Sequence, residues 1–216
     1  MNLQCVIFDF DGTLFDSMYV WKDVGIRYLK HQNITPQQDF QQTVSSMTLY
    51  QAAQYVSCCY PIGQSAEQIM DGVNRLVEDE YVHHVLPAAG VERLLGKLAE
   101  KQVKMVIATL SERHHVAAAL KRCHLDHYFT DIITARQVPT GKHSPKIYFT
   151  AMQACGAQKE NTIVVEDSFS AARTAHNAGF TVIGVYEKSE PEQKQMMEIC
   201  DLYVKNLTQW KVEELI

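Results

Sequence analysis

The chain has 216 residues, of which 46% are hydrophobic and 21% are charged, and its formal net charge is -5. That length can bury a sizeable core and indicates one large domain, alone or with a smaller insert. The modest acidic balance, without a run rich in lysine and arginine, argues against nucleic acid or an anionic membrane as a partner.

The first predicted element is a short buried strand at Val6–Phe8, which ends at a pair of aspartates. The apolar run is too short for a helix. Because side chains alternate along a strand, Asp9 and Asp11 point to the same side. Two neighbouring carboxylates repel each other, and a cation between them or a proton on one of them relieves the repulsion. Gly12 gives the backbone the freedom to leave the sheet, so the pattern favours a site over an ordinary strand and turn.

A long helical region follows this turn. Residues 17–31 carry apolar side chains at helical spacing, and residues 37–84 look helical throughout. Pro61 and Gly63 are expected to break the second segment into two parts. We expect no convincing strand between residues 15 and 100.

The rest of the chain alternates short apolar strands with helices. Strands are predicted at residues 103–108, 131–134, 162–165, 180–185 and 201–204, and helices at residues 88–101, 111–124, 145–155 and 168–178. This alternation implies a parallel sheet covered on both faces, so the predicted fold class is α/β with a Rossmann-like core.

Polar side chains occur where the predicted strands end. They are Asp9 and Asp11, Thr109 and Ser111, Glu166 and Asp167, with Lys142 in the loop after a fourth strand. Because the strand-to-helix loops of a parallel sheet meet at one edge, these groups are expected to converge on one crevice. The helical segment 16–85 leaves directly after the aspartates, which predicts a helical cap over a core formed by residues 1–15 and 86–216.

These motifs, in this order, resemble the haloacid dehalogenase superfamily of phosphohydrolases, in its β-phosphoglucomutase-like and phosphoglycolate phosphatase-like branch with an inserted helical cap. The matching motifs are Asp9-Phe10-Asp11-Gly12-Thr13, Val106-Ile107-Ala108-Thr109, Gly141-Lys142-His143-Ser144-Pro145 and Val165-Glu166-Asp167-Ser168. The resemblance covers essentially the whole chain, closely in the α/β part and only in shape in the cap. Two lysines, Lys142 and Lys146, are candidates for the third motif. Lys142 fits the family spacing, because Pro145 follows it three residues later.

The resemblance implies a role for each motif. Asp9 is the expected nucleophile, which forms an aspartyl-phosphate, and Asp11 is the expected general acid and then base. Thr109 and Lys142 complete the expected catalytic set. The groups expected to bind the phosphoryl oxygens are Asp11, Gly12, Thr109, Leu110, Ser111 and Lys142. The resemblance also implies Mg²⁺ held by Asp9, the Asp11 backbone carbonyl and Asp167, with Glu166 as a further candidate ligand.

The chain departs from the mutases of this branch in the cap and at one position of the first motif. Trp21 stands where they carry a histidine, Thr13 where they carry valine, and residues 44–47 hold no counterpart of the arginine they use on a second phosphate. The residues therefore favour a Mg²⁺-dependent phosphatase of a small phosphorylated metabolite over a sugar phosphomutase. A 2-haloacid dehalogenase, which works without metal, is less favoured because of Asp11 and the Glu166-Asp167 pair.

The remaining sequence features concern location and redox state. The amino terminus has no basic leader, and no stretch approaches the roughly 18 apolar residues that span a bilayer. The six cysteines are scattered without a C-x-x-C pair, which disfavours a zinc site. We therefore expect a cytoplasmic protein with reduced thiols, and a monomer as the default state.

Overall fold

A computed structural model of the chain describes residues 2–44, 47 and 49–212. The chain divides into two compact units. One unit contains Met1–Ser17 and Val85–Ile216, and the other contains Met18–His84. Residues 45 and 46, within the cap segment that we compared with the mutases, lie outside the described residues.

The first unit is built on a six-stranded sheet in which every pairing is parallel. The strands are β1 Cys5–Phe8, β4 Lys104–Thr109, β5 Phe129–Thr134, β6 Thr162–Glu166, β7 Thr181–Val185 and β8 Leu202–Val204. Their order across the sheet is β5-β4-β1-β6-β7-β8. The predicted Rossmann-like α/β core is thus confirmed, with the strands after residue 100 within two residues of their predicted bounds. In register, Phe8 of β1 lies beside Ile107 of β4 and Val165 of β6, so these three strands end next to one another.

A small antiparallel ribbon corrects the expectation that residues 15–100 contain no strand. It pairs β2, Phe15–Asp16, with β3, Leu86–Pro87. Two-residue strands carry no periodic pattern of side chains, so the sequence gives no signal for them. They form where the chain leaves and re-enters the α/β unit, and the pairing results from that proximity.

The second unit is helical. Its helices are α1 Met18–His31, α2 Phe40–Val44, α3 Leu49–Cys59 and α4 Ala66–His83. The predicted break at Pro61 and Gly63 is confirmed, because α3 ends before it and α4 begins after it. A capping box starts α4, in which Gln68 N–H donates to Ser65 Oγ and Ser65 N–H donates to Gln68 Oε1. In the described part of the chain, no helix has the length and apolar character needed to cross a membrane.

Among the described residues, five α-helices accompany the sheet. They are α5 Val91–Glu100, α6 Arg113–Arg122, α7 Lys146–Cys155, α8 Phe169–Asn177 and α9 Gln193–Ile199. Helix α5 begins three residues later than predicted because Gly90, with φ 93°, turns the chain just before it. Helix α9 was not predicted, since Met196 is its one buried residue and its sequence shows no apolar stripe.

One part of the core lies against α7 and α8. Ile7 and Val164 of the sheet are fully buried there, together with Tyr148 of α7 and Ala172 of α8. This packing places the hydroxyl of Tyr148 next to the end of β6. This part of the core therefore packs next to the loops that carry the polar side chains.

Candidate active site

Asp9 follows β1 directly and is buried beside a lysine. Its N–H donates to Val165 O of β6 over 2.9 Å, which extends the strand pairing up to this residue. Lys142, on a 3-10 turn at Gly141–His143, places its Nζ 2.5 Å from Asp9 Oδ1 and 2.9 Å from Glu166 Oε1. Its rival Lys146 is exposed. Lys142 is therefore the lysine that accompanies the predicted nucleophile.

Three buried carboxyl groups meet at this point. Asp9, Glu166 and Asp167 each offer an oxygen within 4.8 Å of the others. The Thr13 hydroxyl donates to Asp167 Oδ1 over 3.2 Å. Glu166 Oε2 is buried and, among the described residues, has no hydrogen-bond partner. An unpartnered carboxylate oxygen inside a cluster of oxygen ligands fits a divalent cation.

The electrostatics of the cluster support the same conclusion. Burial raises the pKa of Glu166 to about 7, against the opposing charge of Lys142. Burial, and then the charges of Asp9 and Glu166, raise the pKa of Asp167 well above its usual value. Burial alone would lower the pKa of Lys142, but the two carboxylates beside it outweigh that effect and raise it. One ammonium group therefore does not balance the three carboxylates, and a divalent cation would.

Asp11 is held by two serines. Ser17 Oγ donates to Asp11 Oδ1 and Ser111 Oγ donates to Asp11 Oδ2, each over 2.6 Å. Gly12, with φ 76°, turns the chain after Asp11, and its N–H donates to Phe15 O within that turn. Both oxygens of the Asp11 carboxyl group thus have a fixed partner. Ser17 does not stand out in the sequence, because it looks like an ordinary residue at the start of a helix.

The loop after β4 carries the predicted phosphate-binding residues Thr109, Leu110 and Ser111. Thr109 is fully buried, and its Oγ1 accepts the N–H of Ser111 over 3.0 Å. Leu110 is 61% exposed between two buried neighbours. A Cβ added at Gly141 would lie 2.9 Å from Leu110 Cδ2, so this loop lies directly against the turn that bears Lys142.

The predicted site residues therefore form two connected sets at the ends of β1, β4 and β6. One set joins Asp9, Lys142, Glu166 and Asp167 through ion pairs and close carboxylates. The other set joins Asp11 to the loop after β4 through Ser111. The sequence does not single out Tyr148, whose hydroxyl lies 2.8 Å from Glu166 Oε1, because an aromatic residue on an apolar helix face looks like part of the core.

The chain is similar to a known protein family, to named phosphatases and to solved structures. The family described as haloacid dehalogenase-like hydrolase matches residues 6–185. The phosphorylated carbohydrates phosphatase of Thermotoga maritima is 24% identical, covering 91% of each chain. The 6-phosphogluconate phosphatase of Escherichia coli is 25% identical, covering 91% of this chain and 87% of the relative. The β-phosphoglucomutase structure from Clostridium difficile has a TM-score of 0.74 at 17% identity, covering 99% of this chain and 95% of that one.

Proposed function

Since the chain belongs to the haloacid dehalogenase-like hydrolase family, we propose that it is a Mg²⁺-dependent phosphatase that hydrolyses a phosphate monoester of a small metabolite. The observation that carries this proposal is Asp9, buried between Lys142 and the Glu166-Asp167 pair at the end of the central strand. An anionic nucleophile can approach an anionic phosphate only where fixed positive charge offsets the repulsion.

The first step transfers the phosphoryl group to the protein. An oxygen of Asp9 attacks phosphorus, and a new P–O bond forms as the bond to the leaving group breaks. Asp11, in its acid form, gives its proton to the departing oxygen. Lys142 and the Thr109 hydroxyl bind phosphoryl oxygens, together with the loop at Leu110 and Ser111.

The second step releases phosphate. Asp11, now a carboxylate, takes a proton from water, whose oxygen attacks the phosphorus of the aspartyl-phosphate. The P–O bond to Asp9 breaks, and inorganic phosphate leaves with Asp9 restored. The hydrogen bonds from Ser17 and Ser111 keep Asp11 in one place for both proton transfers.

The cation of this proposal is Mg²⁺. It would be held by Asp9, by Asp167, by Oε2 of Glu166 and by the backbone carbonyl of Asp11. This set fits magnesium, which takes a few carboxylates and completes its coordination shell with water and phosphate. When bound, it neutralises negative charge on the phosphoryl group and aligns that group for attack. We assign selection of the substrate to the helical unit, as the predicted cap.

The direct test is phosphate release from a panel of esters, with Mg²⁺ and with chelator. Names of relatives suggest that the panel should begin with phosphorylated sugars and sugar acids, followed by phosphoglycolate, nucleotides and p-nitrophenyl phosphate. We expect release that requires Mg²⁺. A folded chain that binds Mg²⁺ and releases phosphate from none of them would reject the proposal, and isomerisation that needs a bisphosphate primer would reveal a mutase.

Replacing Asp11 by asparagine should separate the two steps. We expect a loss of about 10²–10⁴-fold with a sugar phosphate, whose leaving oxygen needs a proton. With p-nitrophenyl phosphate, whose leaving group departs without one, we expect a rapid burst of one equivalent of nitrophenol and slow turnover afterwards. Stopped-flow absorbance measures both phases. The Asp16→Asn variant changes an exposed carboxylate on the nearby strand β2 and should behave as wild type. Steady, burst-free turnover by Asp11→Asn would contradict the assigned role.

The effect of Mg²⁺ on stability should depend on pH. Folding raises the pKa of Glu166 from 4.5 to about 7. The folded state therefore holds the proton of Glu166 more tightly than the unfolded state does. The resulting contribution to the free energy of unfolding is fully present below pH 4.5 and is lost as the pH rises through about 7. Thermal unfolding at pH 5.5 and pH 8 should show that Mg²⁺ raises the unfolding temperature more at pH 8, and that Glu166→Gln reduces this difference. An equal or larger shift at pH 5.5 would count against the cluster as the binding site.

A further inference from the structure

Tyr148 is a buried tyrosine whose hydroxyl reaches into the carboxylate cluster. The residue lies on α7 and is fully buried. Its hydroxyl is 2.8 Å from Glu166 Oε1 and 3.2 Å from Ala171 O. A hydroxyl has one proton to donate, and the carboxylate oxygen is both nearer and the stronger acceptor. The hydroxyl therefore donates to Glu166.

This bond makes the two oxygens of Glu166 different. Oε1 accepts from Tyr148 and also from Lys142, whose Nζ is 2.9 Å away. Oε2 is buried and has no hydrogen-bond partner in the described part of the chain. Two donors on one oxygen prevent the carboxyl group from rotating, so they also fix the direction in which the other oxygen points.

We propose that Tyr148 is a positioning residue for the metal: together with Lys142 it occupies one oxygen of Glu166 and thereby presents the other, Oε2, to the divalent cation. This inference rests on the metal site of the proposed function. Tyr148 acts only through Glu166 and is assigned no contact with the cation or the substrate. Partners of this kind typically change metal affinity by about 10–100-fold when they are removed.

The first test is Mg²⁺ binding to the folded chain without substrate, measured by titration calorimetry. Tyr148→Phe removes the hydroxyl and keeps the ring, so the packing beneath the site is retained. We expect its dissociation constant for Mg²⁺ to rise about 10–100-fold. Tyr203→Phe is the matched control, since it removes a buried hydroxyl that has no hydrogen-bond partner among the described residues. Its Mg²⁺ affinity should equal that of wild type, and unfolding temperatures of both variants establish that they are folded.

A double-mutant cycle then distinguishes positioning from general loosening of the core. In a Glu166→Gln background, Tyr148→Phe should no longer change Mg²⁺ affinity, because the residue through which it acts has been altered. In kinetics, Tyr148→Phe should raise the Mg²⁺ concentration needed for half-activation and leave kcat at saturating Mg²⁺ close to wild type. Unchanged Mg²⁺ affinity in Tyr148→Phe, or an equal loss in both backgrounds, would overturn the inference.

The outcome can be separated from that of the proposed function. A wild-type chain that binds Mg²⁺ but hydrolyses no ester would reject the phosphatase and leave the binding result for Tyr148 valid. An active wild type whose Mg²⁺ affinity does not respond to Tyr148→Phe would reject the role of Tyr148 alone. A wild-type chain that binds no Mg²⁺ would overturn both.

Discussion

Replacing Asp9 by asparagine should reduce phosphate release by at least about 10³-fold, the scale on which enzymes lose activity when their nucleophile is removed. The amide of asparagine cannot attack phosphorus and regenerate itself through an acyl phosphate, so the reaction loses the step that splits it in two. The variant keeps the shape of the side chain. The measurement is phosphate release with the substrate and Mg²⁺ concentration that are optimal for wild type.

The same substitution should leave the protein folded. It removes one of three clustered carboxylates, and the charge of Asp9 is among the causes that raise the pKa values of Glu166 and Asp167. Lys142 retains Glu166 as its partner. In chelator at pH 8, the unfolding temperature of Asp9→Asn should therefore equal or exceed that of wild type. Asp126→Asn, an exposed carboxylate of the same unit, is the control for activity; substantial turnover by Asp9→Asn would mean that another group is the nucleophile.

The sequence was sufficient for the sheet and for the positions of its loops. Apolar strands alternating with helices determine a parallel sheet, and the rule that its strand-to-helix loops share one edge brings Asp9, Thr109 and Glu166 together without any knowledge of distances. The structure places these residues at the ends of the adjacent strands β1, β4 and β6. Residues far apart in sequence were thus assigned to one place by topology alone.

The side chains that position the site residues cannot be predicted from topology. Ser17 donates a hydrogen bond to Asp11, which precedes it in the same loop region, and Tyr148 donates one to Glu166 on a different element. Neither residue stands out from the local sequence pattern around it. A serine at the start of a helix and an aromatic on an apolar face have common structural explanations. Their roles depend on the direction of a single hydroxyl, which the spacing of residues along the chain does not encode.

Lys142 should be the residue whose loss affects both activity and stability. Lys142→Met keeps most of the side-chain length and removes the ammonium group that lies between Asp9 and Glu166. Phosphoryl transfer loses a fixed positive charge, for which we expect a decrease in kcat of about 10²–10³-fold. Removing one partner of a buried ion pair leaves its carboxylates uncompensated, so the free energy of unfolding in chelator should fall by about 3–5 kcal/mol. Phosphate release and denaturant unfolding at pH 8 measure the two effects.

Lys146→Met is the matched control, because Lys146 is exposed at the start of α7, just after the turn that bears Lys142. Its unfolding free energy should remain within about 0.5 kcal/mol of wild type, with full activity. Mg²⁺ should restore part of the stability of Lys142→Met, since a cation among the carboxylates replaces some of the lost positive charge. Mg²⁺ should not restore turnover, because a cation bound by the carboxylates does not replace the contact of the Lys142 ammonium group with the phosphoryl oxygens. An inactive Lys146→Met together with an active Lys142→Met would show that Lys146, and not Lys142, binds the phosphoryl group.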